Sequence, residues 1–350
     1  MLLKKFSYRD YNWEIQELSL QTVNLFVGKN ATGKSRTLYH IDLLVKILTQ
    51  KRDITWGGQW IVEFETNSND ILKYELTTKA SGEVSLEKLY KNNVLKLERH
   101  RSSECKIFSE TINGWEKFTP PTNQLAILSR RDIRAFSYIE RIIEWASTSF
   151  GFRFGNLSPD NPEFDLLTAV EDIPVLFTEL SIESKTKIIS QFNSIGFNVS
   201  AIKASALANK TFLYVHEEGI TNPLPHTKLS QGMMRSLSLL IFVEYLISRK
   251  NPATVIVDDL GEGLDYIRAK DIGKIVFERC LEKGIQLIAT SNDSFLMDVI
   301  DIDYWNVLMR EGKTVKAINY QNNKALFDEF RFTGLSNFDF FSSDYIPSFL

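Results

Sequence analysis

Gly28, Gly33, Lys34 and Ser35 meet the spacing G-x-x-x-x-G-K-[ST] inside VNLFVGKNATGKSRTL, residues 23–38. That spacing serves a grip on polyphosphate. The glycines let backbone N–H groups turn inward on phosphate oxygens, and the helix that follows adds the positive end of its dipole. On this reading the loop Gly28, Lys29, Asn30, Ala31, Thr32, Gly33 wraps the phosphates, with Arg36 just beyond it. Lys34 reaches the outer phosphates, and Ser35 holds Mg²⁺. An unliganded Gly-rich turn is the competing account; an apolar strand before the loop and an amphipathic helix after it argue against that.

A second set of chemical groups lies in TVIVDDLGEGLD, residues 254–265. An apolar strand ending in Asp258 offers the carboxylate that accompanies Mg²⁺ in phosphoryl transfer, and Asp259 or Glu262 then polarises the attacking water. Strand-terminal aspartates also start turns, which is the structural alternative. Asp258 and Gly261 fit the Asp-x-x-Gly of GTPases too. A guanine-specifying Asn-Lys-x-Asp is missing, because Asn209-Lys210 and Asn323-Lys324 lack the aspartate. A third set, KLSQGMMRSLSLL at 228–240, places Leu229, Ser230, Gln231 and Gly232 at the start of an apolar helix. Ser230 would cap that helix in any protein.

These groups need elements to carry them. Residues 13–27 read as two short strands, and Leu38, Ile41, Leu44, Val45 and Leu48 recur at helical spacing over about Ser35–Lys51. From Trp60 to about Arg131 short alternating segments (QWIVEFET, ILKYELTT, VLKLERH, CKIFSE, QLAILS) predict antiparallel hairpins. FSYIERIIEWASTSF and IESKTKIISQF predict helices, with GNLSPDNPEF a loop between them, and VSAIKAS and FLYVHEE predict strands. Beyond residue 228 helix, strand, helix and strand alternate, the pattern of a parallel sheet with crossover helices. The domain expectation is an N-terminal half, 1–131, a helical insert, 132–227, and a C-terminal half, 228–350.

Composition narrows the class. Apolar residues are 43% of the 350, enough for a large core, and the formal charge of -3 gives no global attraction to nucleic acid or anionic membrane. No run approaches the length of a membrane span and no secretory leader is evident, so a cytoplasmic protein without membrane association is expected. Two cysteines, far apart, support neither a disulfide framework nor a zinc site. Arg130, Arg131 and Arg134 with Lys106, Arg99 and Arg101 form a candidate phosphate-contacting patch, so DNA enters as a candidate partner. The aromatic C-terminal segment is expected to pack on the protein's own sheet, a docking surface for a partner being the alternative.

Cradle, Leu-Ser-x-Gly, strand-terminal carboxylates and a later polar strand end occur in one order. In that order the chain resembles the ABC-type ATPases, within them the branch of RecF and the structural-maintenance-of-chromosomes heads, often called AAA family ATPases. Asp258-Asp259 matches the double aspartate of RecF-like proteins, and Ser35 lies too far from Leu229 for an ordinary transporter subunit. The resemblance implies an α/β P-loop head with an antiparallel β-lobe and a short helical lobe, ATP and Mg²⁺ as cofactors, and slow hydrolysis. It implies a homodimer in which Ser230, Gln231 and Gly232 of one subunit meet ATP bound by the other. Asp265 takes the D-loop position, and Gln124 that of the metal-associated Q-loop, with Asn123 and Arg130 as neighbours that fit equally. Asn292 stands where the family has a switch histidine, so an amide replaces an imidazole. No effector motif is present, which points to a partner nuclease or toxin in repair or defence against foreign DNA. No long coiled-coil arm separates the halves.

Overall fold

The structure is a computed structural model and describes residues 1–100, 104–153, 172–207 and 210–342. It begins with β1 (Leu2–Arg9), β2 (Glu14–Ser19), β3 (Val23–Val27) and α1 (Lys34–Leu48). Every residue of β3 is buried, as a strand covered on both faces requires. An antiparallel meander follows: β4 (Gly58–Glu65), β5 (Ile71–Thr78), β6 (Val84–Lys91), β7 (Val94–His100), β8 (Cys105–Ser109) and β9 (Gly114–Phe118). Asn92 and Asn93, both at positive φ, make the two-residue turn that twists β6 into β7. Next come α2 (Ala126–Ser129), α3 (Ser137–Ser147), β10 (Ser149–Arg153), α4 (Asp172–Glu179) and α5 (Ile182–Ser194). The hairpin β11 (Val199–Leu207) and β12 (Lys210–Glu217) with β13 (Leu224–Pro225) forms a separate small sheet. The chain then runs through α6 (Gln231–Arg249), β14 (Thr254–Asp258), α7 (Tyr266–Lys283), β15 (Gln286–Thr290) and α8 (Ser294–Val299). It ends with β16 (Trp305–Glu311), β17 (Thr314–Asn319), α9 (Lys324–Arg331) and α10 (Asn337–Ser342).

The large sheet has the order β10-β14-β15-β3-β16-β17-β2-β1-β4-β5-β6-β7-β8-β9. Its first five strands are parallel, and the meander β2-β1-β4 through β9 is antiparallel. Period-two alternation sorts the core onto two faces. Val255, Val257, Leu287 and Ala289 pack with Leu25 and with α6 and α7, whereas Ile256, Ile288 and Phe26 pack with α1 and α3. A buried ion pair ties α6 to α7, Arg279 donating to both Glu244 oxygens at 2.7 and 2.9 Å.

Three expectations need correction. QLAILS is not a strand: Glu87, fully buried on β6, accepts the amides of Ala126 and Ile127 at 2.6 and 3.0 Å, so these residues close a helical turn as α2. Residues 149 and 150, read as the end of a helix, leave α3 and with 151–153 pair with β14 as edge strand β10. Arg99 does not belong to a surface patch. It is wholly buried, donating to the carbonyls of Gln124 and Pro121 at 2.6 and 2.9 Å, and Arg131 is bound to Glu140. Arg101 and the GNLSPDNPEF segment lie outside the described residues. Phe340 of the tail is buried, its ring centroid 6.3 Å from Trp305 of the sheet strand β16 and 4.8 and 4.7 Å from Phe327 and Phe330 of α9. No helix of the described residues is long and apolar enough to cross a membrane.

Candidate functional site

β3 delivers the chain to Gly28 at the carboxyl end of the parallel strands, and α1 leaves from Gly33. Gly33 has φ 101°, and a Cβ there would lie 2.5 Å from the Trp13 ring. At Gly28 a Cβ would meet the Leu308 carbonyl at 2.8 Å, and Ala31 between them also takes a positive φ of 65°. The positive dihedrals at Ala31 and Gly33 bend the loop, a backbone form able to turn amides inward on an anion. Lys34 is 8% exposed, and its Nζ donates to the Gly28 and Lys29 carbonyls at 2.6 and 3.3 Å. Burial lowers its pKa, against the upward pull of Asp259 and Asp258. Both carboxylates therefore lie near enough to act on the charge of the cradle lysine. Ser35 and Arg36 are exposed on the first turn of α1.

Two guanidinium groups flank the loop. Arg36 and Arg310 stack on Trp13 with Cζ 4.3 and 4.6 Å from the ring, and Arg310 also donates to the Ala31 carbonyl. A polyanion fits this donor set of turned amides, a buried ammonium, a helix N-terminus and two guanidinium groups. The acid pair at the end of β14 suits a hard cation beside it.

Asp259 sits at φ 59°, a left-handed conformation that costs a non-glycine residue roughly 1–2 kcal/mol. Its pKa is raised, first by burial and then by Glu262 and Asp258; Lys34 and the backbone N–H of Asn292 pull the other way. Asn292 is exposed at the end of β15. Glu262 is otherwise engaged: Arg235 of α6 donates to its carbonyl at 2.6 Å and lies 3.7 Å from its carboxylate.

Ser230 caps α6, accepting from the Met233 N–H at 3.2 Å, and Ser230 and Gln231 are exposed. Gly232 lets the helix start approach the 262–264 loop, since a Cβ there would be 2.9 Å from Leu264. Asp265 caps α7 and pairs with Arg268 at 2.8 Å. No hydrogen bond or ion pair among the described residues joins Ser230, Gln231 or Gly232 to the cradle of the same chain. Gln124 likewise has none to the cradle or Asp258; its carbonyl is held by Arg99 in the β-lobe. Charge and hydrogen bonds thus link Lys34 to Asp258 and Asp259, and Asp259 to Asn292 and Glu262, while Gly232 packs on Leu264 and Arg235 of the same helix binds Glu262. Trp13, Arg235, Thr290 and Arg310 were missed, because none belongs to a local spacing pattern.

Behind the first turn of α1 lies a cavity of about 680 Å³ lined by Tyr8, Arg36, Tyr39, His40 and Trp56 among others. His40 is 4% exposed, stacked 3.7 Å from Tyr8, with neither ring nitrogen hydrogen-bonded. Burial, helped by the charge of Arg36, lowers its pKa to about 3. An unfolded histidine takes up a proton near pH 6.5 while the folded one refuses it, so stability is full above that pH and falls as pH drops from about 6.5 toward 3. Between pH 6.5 and 5, His40→Phe should lose roughly 1.5–2 kcal/mol less unfolding free energy than wild type, measured by denaturant titration. Parallel losses in the two proteins would contradict this.

The family model AAA_21, described as "AAA domain, putative AbiEii toxin, Type IV TA system", matches residues 23–298, from the start of β3 through α8. Among solved structures the chain is similar to the SmcHead bound to the C-winged helix domain of ScpA, at 12% identity and TM-score 0.55, covering 91% of this chain and 97% of that one. It is also similar to the Smc head domain with an extended coiled coil bound to the C-terminal domain of ScpA, derived from Pyrococcus furiosus. There the identity is 10% and the TM-score 0.56, over 94% of this chain and 99% of that one. At such identities the likeness is one of fold. No curated protein matches the chain.

Proposed function

The chain belongs to the AAA_21 family and folds as a P-loop ATPase head of the ABC and structural-maintenance-of-chromosomes kind, and from that premise we propose that it binds and hydrolyses ATP at composite sites shared by two copies. The observation that carries this is the division of the machinery. Lys34 and the acid pair act on one another's charge, while among the described residues no hydrogen bond or ion pair joins Ser230, Gln231 or Gly232, at the exposed start of α6, to them.

In this reading Gly28–Gly33 and Lys34 hold the phosphates, with Arg36 and Arg310 adding charge. Ser35 and Asp258 hold Mg²⁺, which when bound neutralises phosphate charge during transfer. Asp259 takes a proton from the attacking water, its raised pKa bringing it nearer the operating pH. Asn292 can donate a hydrogen bond to the outer phosphate but takes up no proton. Ser230 and the α6 N-terminus present donors to the nucleotide on the second copy.

The test is Ser230→Arg, which places a bulky cation where the second copy must approach. We expect ATP affinity within about threefold of wild type, and loss of the ATP-induced doubling of mass that light scattering should show for wild type. Pairing that persists in the variant, or nucleotide binding lost with it, would reject the composite site.

A second reading is a nucleotide-gated scaffold that restrains a partner nuclease or toxin with little turnover. Asn292 in the switch position favours it, as does the toxin–antitoxin description of the family. The Smc heads above were solved with a bound protein partner, ScpA. Purification from the native host separates the two: a retained protein effector supports the scaffold, and DNA alone supports a repair or defence ATPase acting on DNA.

A further inference from the structure

β15 lies between the strand that enters the cradle and the strand that ends in Asp258. Its last residue, Thr290, pairs with Phe26 of β3 on one side and on the other stands level with Asp258, one step past the Val257–Ala289 pair. Thr290 is 2% exposed. Its hydroxyl donates to Asp258 Oδ1 at 2.9 Å and accepts from the Asp259 N–H at 2.8 Å. Its carbonyl accepts from the Leu260 N–H at 2.8 Å. One residue thus holds three consecutive residues of the neighbouring strand's turn.

We propose that Thr290 is the positioning residue of the acid pair, setting Asp258 and Asp259 on the same side of the chain for cation binding and proton uptake. The proposal rests on the ATPase reading above but adds a residue that reading does not use. In a continued strand, successive side chains point to opposite faces, so two adjacent aspartates could not both address Lys34. The left-handed turn at Asp259 removes that conflict, and the bond from its N–H to Thr290 holds the turn in place. A hydroxyl has one proton and two lone pairs. The proton goes to Asp258 Oδ1 and a lone pair takes the Asp259 amide. Valine keeps the shape and loses both bonds, whereas serine keeps both bonds and loses only a methyl group.

The experiment compares wild type, Thr290→Val and Thr290→Ser in two measurements. Amide exchange at Asp259 and Leu260, followed without nucleotide, reads the turn itself. ATP turnover against Mg²⁺ concentration reads its consequence. Thr290→Val should exchange at least 10-fold faster at Asp259, need at least fivefold more Mg²⁺ for half-maximal turnover, and lose at least 10-fold in kcat with the KM for ATP within threefold. Thr290→Ser should return each value to within threefold of wild type. Valine within twofold of wild type in both measurements overturns the proposal, as does serine behaving like valine. If valine prevents folding, serine decides alone: near-wild-type values sustain the proposal, and fast exchange with weak Mg²⁺ dependence overturns it. Fast exchange in Thr290→Val, with no hydrolysis even by wild type, would overturn the ATPase reading and sustain the positioning.

Discussion

Lys34→Ala is expected to weaken ATP binding about 100-fold, measured by calorimetry or by displacement of a fluorescent nucleotide. Hydrogen bonds to charged groups contribute about 1.5–3 kcal/mol each, and 2.7 kcal/mol corresponds to a factor of 100. The lysine is suited to that contribution. It is buried, poised on the Gly28 and Lys29 carbonyls, and has shed most of its water before any ligand arrives. A phosphate that replaces those carbonyls as its partner pays little further desolvation. Folding should be nearly unaffected, because burial disfavours the charged lysine in the folded chain. Affinity within threefold of wild type would refute the cradle assignment, and a concurrent loss of structure would show on the circular dichroism of the same sample.

Asp259→Asn should lower kcat by about 10²–10⁴-fold with little change in ATP affinity, the range that removal of a general base produces. Asparagine is a fair probe here, since it tolerates the left-handed φ that Asp259 adopts and keeps the size of the side chain. The pH dependence supplies an independent check. A base works only when deprotonated, and burial with two neighbouring carboxyl groups raises the pKa of Asp259. Wild-type turnover should therefore fall on the acid side with a midpoint above the ordinary aspartate value of about 3.9, and the variant should lose that limb. Unchanged kcat in Asp259→Asn, with collapse in Glu262→Gln, would move the role to Glu262 and would require Arg235 to release it.

Much of the fold was legible because its signals are local. The Gly28–Ser35 spacing, the fully apolar β3, the helical spacing of α1 and the Ser230 cap each lie within one element. The strand and helix order after residue 228 follows from periodicity over short windows. What failed did so for non-local reasons. QLAILS alternates like a strand, yet it winds into α2 because Glu87, some forty residues away in sequence, supplies acceptors to its amides. Arg99 reads as a surface cation, yet the carbonyls of a distant turn bury it. Residues 149 and 150 read as the end of a helix, yet the edge of β14 recruits them, with 151–153, as a strand.

The candidate site divides along the same line. By itself the sequence determined the phosphate cradle, the strand-terminal acids and the capped start of α6, because each is a backbone geometry written in neighbouring residues. Only the tertiary structure decided how they combine. Inserting β15 between β3 and β14 brings Asp258 and Asp259 near Lys34 and lets Thr290 hold both acids, and Arg235 of α6 binds the Glu262 carbonyl. Strand order and side-chain reach across the sheet are set by the packing of the two cores against its faces, and no spacing along the chain encodes them.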